Sequence, residues 1–154
     1  MRGMSAMNEN VVEYVTTMIG GQLFGLPISR VQDVFKPSRI TRVPLAGAEI
    51  AGVLNLRGRI VTAIDVRRRL ALSPRASENP GMSVVVDHKG ELYSLIVDSV
   101  GEVLSLPGDA YERNPTTLDP RWREVAGGIY RLQGKLLVVL EVARMLEFKR
   151  AEAA

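Results

Sequence analysis

Cysteine is missing from the chain altogether. No disulfide framework, thiolate nucleophile or cysteine-bound metal can therefore be built, a composition that suits a reducing, cytoplasmic setting. Histidine is nearly as scarce, with His88 alone, which excludes a multi-histidine metal centre. Aromatics make up only 5% of residues, and none lies between positions 43 and 81. The longest apolar run, LLVVL at 136–140, falls far short of the ~20 residues that a membrane-spanning helix needs. The first residues, MRGMSAMNEN, carry one arginine with no apolar run behind it and read as a loose leader, not a signal peptide. Neither sign of charge dominates: 20 Lys and Arg against 17 Asp and Glu leave +3, too little to be a nucleic-acid footprint by itself.

What is present is a repeat. The stretch AGVLNLRGRIVTAIDVRRRL at 51–70 returns as GGIYRLQGKLLVVLEVARML at 127–146, with Gly52 on Gly128, Leu56 on Leu132, Gly58 on Gly134, Asp65 on Glu141 and Leu70 on Leu146. An earlier block, GQLFGLPISRVQDVF at 21–35, returns as GELYSLIVDSVGEVL at 90–104. The two offsets differ because one connection is longer. Repetition at this spacing marks a duplicated supersecondary unit that buries its apolar face against its own partners or its twin. The copies diverge at one hairpin tip, where Asn55-Leu56-Arg57-Gly58 faces Arg131-Leu132-Gln133-Gly134. The turn glycine is kept and Arg57 is not.

At 154 residues, 46% apolar and 24% charged, the chain is globular and long enough to bury roughly two thirds of its unfolded surface. Residues 11–19 are β-branched and stop at Gly20-Gly21, and 22–28 resume as a returning strand. Pro27 cannot donate to a ladder, so it marks an edge or a bend. In 31–35, Val31, Asp33 and Phe35 share a side if the segment is extended. A connection with a short turn of helix at 46–51 leads into the hairpin 52–65. Behind Asp65 and Glu141 the pattern shifts to a helical turn, with the acid as its cap. Residues 73–81 are a Ser-, Pro- and Asn-rich linker, and 107–123 a long polar connection.

Eight to ten short strands with brief helical turns make an all-β class. Two copies, about 11–72 and 82–148, with a leader at 1–10 and a tail at 149–154 that frays, suggest paired five-stranded β-barrels, since closure removes sheet edges. The same pattern fits barrels that are contiguous in sequence and barrels that exchange strands.

Catalytic chemistry needs a nucleophile beside a base, paired carboxylates or a metal set, and none shows. His88 sits between Asp87 and Lys89 as an exposed turn residue, and Gly58 and Gly134 lack the Gly-rich run and Lys-Ser or Lys-Thr of a phosphate loop. The chain reads as a non-enzyme with no cofactor. The basic group Arg57, Arg59, Arg67, Arg68 and Arg69 raises a nucleic-acid-binding barrel as the alternative, but base stacking wants aromatics that are not there. A solvated charged face accounts for 67–69.

GVLNLRGRIVTAIDVRRRL resembles the signature hairpin of the CheW family of chemotaxis coupling proteins, with its Asn-Leu-Arg-Gly tip followed by an aliphatic strand and Asp-Val. Val31-Gln32-Asp33-Val34 resembles that family's Val-x-Glu-Ile element, and Val100-Gly101-Glu102-Val103-Leu104 its second-half counterpart. The resemblance implies two SH3-like barrels with an apolar layer between them, and a non-catalytic adaptor. Such an adaptor bridges the regulatory domain of the CheA histidine kinase to the cytoplasmic tip of methyl-accepting chemoreceptors. It is cytoplasmic, recruited to membrane receptor arrays, binds no nucleic acid and does not itself insert into the membrane. Receptor docking and coupling are expected at Val31, Asp33 and Arg57, with Asn55 and Gly58 shaping the tip and Val103 contributing. Arg57 pairs with Asp33 in this expectation, although Asp33 is one methylene shorter than the family's Glu. The kinase-binding residues stay unassigned.

Overall fold

The computed structural model describes residues 10–37, 39–76 and 78–147. The tail at 149–154, and the leader apart from Asn10, lie outside them. Among the described residues ten strands form: β1 Val11–Ile19, β2 Gln22–Pro27, β3 Val31–Phe35, β4 Ile50–Leu56, β5 Arg59–Asp65, β6 Met82–His88, β7 Glu91–Val97, β8 Ser99–Pro107, β9 Ala126–Leu132 and β10 Lys135–Leu140. The helices are single turns: α1 Val66–Arg69, α2 Pro120–Arg123 and α3 Val142–Met145. The protein is all-β, built as two five-stranded SH3-like barrels.

Strand pairing interleaves the copies. One sheet runs β8-β1-β2-β10-β9 and the other β3-β6-β7-β5-β4. Each copy's first hairpin, β1–β2 or β6–β7, joins the three later strands of the opposite copy. The single parallel contact in each sheet falls at equivalent positions, Val138 on Phe24 and Thr62 on Tyr93. The two barrels are thus one plan executed twice with strands traded.

This trade explains the unbroken apolar runs. In β10, Val138 and Leu140 belong to a large cluster drawn from both sheets, while Leu137 and Val139 pack with Tyr14 and Tyr130 of their own sheet. In β6, Val84 and Val86 face the shared cluster, and Val85 faces Leu54, Val61 and Leu92. Strands covered on both faces lose the apolar–polar alternation of a one-sided sheet. Each such Val or Leu contributes about 1.5–3 kcal/mol by leaving water.

Several local expectations need correction. Residues 46–49 form turns without helix, and β4 already begins at Ile50. The polar connection carries an unforeseen helix, α2, started by Asp119 as N-cap with Pro120 in first position; it turns Trp122 into the shared core. Asp65 caps α1 by accepting the Arg68 N–H at 3.2 Å, whereas Glu141 makes no side-chain cap bond to α3. The longer glutamate does not fold back onto so short a turn. Pro27 ends β2 beyond its pairing with β10 and opens a 3-10 turn at Ile28–Arg30, so it is a bend within an otherwise central strand.

Candidate docking site

The β4–β5 hairpin closes on Arg57-Gly58, with φ of +51° and +86°, between the paired residues Leu56 and Arg59. Two positive φ values define a type I′ turn, whose twist suits a two-residue hairpin. The Asn55 side-chain oxygen accepts the Gly58 N–H at 2.9 Å. Arginine in the left-handed region is uncommon, so the turn holds Arg57 outward at some backbone cost. At the second copy's tip only Gly134 has positive φ, not Gln133. The β6–β7 tip repeats the first device: Lys89-Gly90 are both left-handed, and the Asp87 carboxylate accepts the Gly90 N–H at 3.1 Å. Since β5 and β7 are parallel neighbours, both tips stand at one end of the sheet.

Arg57 Nη2 donates to Asp33 Oδ2 at 2.7 Å, with the arginine 74% exposed and the aspartate 24%. The other carboxylate oxygen accepts the Val34 N–H at 2.8 Å. The Arg57 hydrogen bond, then that N–H, hold the Asp33 carboxyl below its ordinary pKa. The shorter acid therefore does reach its partner, the long guanidinium making up the distance. Because β3 and β4 are the outer strands of their sheet, the pair ties one outer strand to the tip of the other. Beneath it lies a cleft of about 150 Å³ lined by Gln32, Asp33, Leu56, Arg57, Val85 and Leu92, among others.

Val31 does not share the Asp33 side. The register shifts between them, with Val31 opposite Val86 and Asp33 opposite Val85. An extra residue in a strand inverts the facing of everything beyond it. Val31 is half-buried against the shared core, while Phe35 packs on the barrel cluster that contains Val85. Val103 is 46% exposed on β8, an outer strand of the other sheet, opposite Val15. The structure thus joins Asp33, Asn55, Arg57 and Gly58, leaves Val31 on the neighbouring face and puts Val103 in the other barrel.

Ile60 was not foreseen. It is 65% exposed directly behind the tip and lines a shallow cleft of about 320 Å³ with Arg59, Thr62, Gly90, Glu91 and Leu92. Strand alternation was the signal: with Val61 and Ala63 inside the barrel, Ile60 must point away from it.

The basic cluster is divided: Arg59 and Arg68 are exposed, while Arg67 and Arg69 turn to internal partners. Arg67 forks onto Asp98 with two bonds of 2.9 Å and also donates to the Ser73 carbonyl. Arg69 donates to the carbonyls of Met145, Arg144 and Glu147 and pairs with Glu124. Among the described residues no group of His, Asp or Glu is placed to hold a metal.

Two small fused barrels, with an exposed ion pair at a hydrogen-bonded tip and an uncovered isoleucine behind it, define a protein-docking module. The chain belongs to the CheW-like domain family, whose match spans residues 13–150. It is 26% identical over 140 residues to the chemotaxis protein CheW of Helicobacter pylori, covering 91% of this chain and 84% of that one. To the probable chemotaxis protein CheW of Rhizobium etli it is 25% identical, covering 97% and 96%. The crystal structure of the scaffolding protein TtCheW from Thermoanaerobacter tengcongensis superposes with a TM-score of 0.79 at 29% identity, over 90% of this chain and 94% of that one.

Proposed function

We propose that this protein is a non-catalytic chemotaxis adaptor that couples methyl-accepting chemoreceptors to the regulatory domain of a CheA-type histidine kinase. The observation that carries this reading is the Arg57–Asp33 pair at the β4–β5 tip, with the exposed Ile60 directly behind the tip and the half-buried Val31 on the neighbouring face of β3. An amphipathic helix docks through apolar anchors oriented by a few polar groups, and a helical receptor tip is such a ligand. An exposed ion pair adds only about 0–1 kcal/mol to folding, so its use is in positioning. Asn55 and Gly58 hold the tip in shape. Val103, on the other barrel, is a secondary contact.

No described helix is long and apolar enough to cross a membrane, and array residence is proposed to come from the receptors. The nucleic-acid reading loses its basis because Arg67 and Arg69 are spent on internal partners.

Titration calorimetry with the kinase regulatory domain and with a receptor-tip fragment of the same organism tests the proposal. Saturable binding of both is expected, with Arg57→Ala weakening the receptor arm. Absence of binding to either by the folded protein would overturn the reading.

A further inference from the structure

Residues 43–46 form a tight turn, with the Ala46 N–H donating to the Val43 carbonyl at 3.3 Å. Pro44 takes its second position and Leu45 its third, where φ is +68°. A proline followed by a left-handed residue is the type II arrangement, whose third position favours glycine or asparagine. Leucine there is strained, and this leucine is also 104% exposed, with Val43 beside it at 41%. The chain shows how such a connection otherwise disposes of its apolar residues. In the matching connection of the second copy, Leu118, Trp122 and Val125 all turn into the shared core. Strained backbone that presents a bare apolar side chain marks a functional surface.

Two further observations indicate what covers it. Charge around the turn is one-sided: residues 36–49 hold Lys36, Arg39 and Arg42 against a single acid, Glu49. Arg39 and Arg42 are exposed and make no ion pair among the described residues. The turn also hangs from the Ile50 end of β4, where Ile50 pairs with Ile64. That end is separated from the Arg57 tip by the length of a seven-residue strand, about 20 Å. An adaptor that holds a receptor at the tip needs a separate surface for its second partner.

We infer that the Val43-Pro44-Leu45 turn is a docking prong for the kinase regulatory domain, with Leu45 entering an apolar socket whose rim is acidic and meets Arg39 and Arg42. This rests on the adaptor reading above. A leucine seated in a desolvated socket is the kind of anchor whose truncation dominates an interface, while acids facing Arg39 and Arg42 set orientation and on-rate.

The test uses the full-length protein, its Leu45→Asn variant and the Arg39→Gln/Arg42→Gln double variant, titrated against the kinase regulatory domain and, separately, a receptor-tip fragment. Asparagine suits the left-handed position, so Leu45→Asn is expected to melt at or above the parent temperature. It is expected to lose about tenfold or more in kinase affinity and to keep receptor binding. The double variant is expected to bind the kinase domain more weakly and with less sensitivity to salt. Unchanged kinase affinity in Leu45→Asn overturns the prong while leaving the adaptor reading intact. So does a loss confined to the receptor arm. Failure of the parent itself to bind the kinase domain removes both.

Discussion

Arg69 and Met145 occupy the same position of the repeated sequence, and they touch: Arg69 Nε donates to the Met145 carbonyl at 2.8 Å. Equivalent residues meet only near an axis that relates the copies, so α1 and α3 flank the pseudo-two-fold. Arg69 also reaches the carbonyls of Arg144 and Glu147, where a helix C-terminus leaves acceptors unmet. One arginine of the first copy thereby closes the last turn of the second.

Arg69→Ala removes the side-chain donor from the Met145 and Glu147 carbonyls, while the Arg144 carbonyl keeps the Glu147 N–H. The expected loss is about 2 kcal/mol, or a fall of about 4–8 °C in melting temperature at this chain length. Arg69→Lys is expected to recover only part of it, since an ammonium cannot reproduce the fork. Thermal melts followed by circular dichroism decide the matter, and an Arg69→Ala melt matching the parent would remove Arg69 from the interface energetics.

Arg57→Ala behaves oppositely. The guanidinium is mostly in solvent, so stability is expected to change by less than about 1 kcal/mol while receptor coupling falls. Melting and receptor-tip binding measured side by side separate the two effects. A collapse in melting temperature would make the residue structural.

Asp98 supplies a pH signature. Burial raises its pKa, but hydrogen bonds from Arg67, the Gly20 N–H and Arg75 outweigh this, and the carboxyl titrates below its ordinary value. A group whose folded pKa is depressed contributes stability above its unfolded pKa, near pH 4 for aspartate, and that contribution disappears as pH falls through the folded value. The parent is therefore expected to lose melting temperature steeply on acidification below about pH 4, and Asp98→Asn to begin less stable with a shallower acid limb. Parallel limbs would show that other carboxylates govern acid unfolding.

Glycine substitutions should split by position within the repeat, since Gly58 and its twin Gly134 are open while Gly128 and its twin Gly52 each abut a backbone carbonyl. A Cβ on Gly58 meets nothing nearby, so Gly58→Ala carries only the left-handed backbone cost, about 1 kcal/mol. On Gly128 it would collide with the Tyr111 ring and lie 2.7 Å from the Glu112 carbonyl oxygen, a backbone atom held in a bridge to Ile129. Gly128→Ala is expected to be the more destabilising by denaturant titration, by about 1–3 kcal/mol.

The duplication and the all-β class were legible because local signals carry them: turn glycines, β-branched runs and a repeated tip. Asn55, Gly58 and the Arg57–Asp33 pair followed from the family resemblance and stand together in the structure. The parting of Val31 from Asp33 was not legible, since a bulge is fixed by the partner strand's register and leaves no compositional mark. The fate of Arg67 and Arg69 was hidden for a related reason. Most of their acceptors are main-chain carbonyls or a carboxylate from distant segments, and a linear basic run cannot reveal whether such partners arrive.

The exchange of strands between copies makes this molecule the single-chain equivalent of a domain-swapped dimer. A ribosome that has released the first copy has delivered strands for two barrels and completed neither: β1 waits for β8, and β2 for β10. The first copy alone encodes no independent unit: the β3-β6-β7-β5-β4 barrel lacks strands until Val97 has emerged, and the other barrel until Leu140 has. Any separation of the two copies, by proteolysis in the 73–81 linker or by splitting the reading frame, is then a complementation problem, in which fragments regain structure only by finding each other.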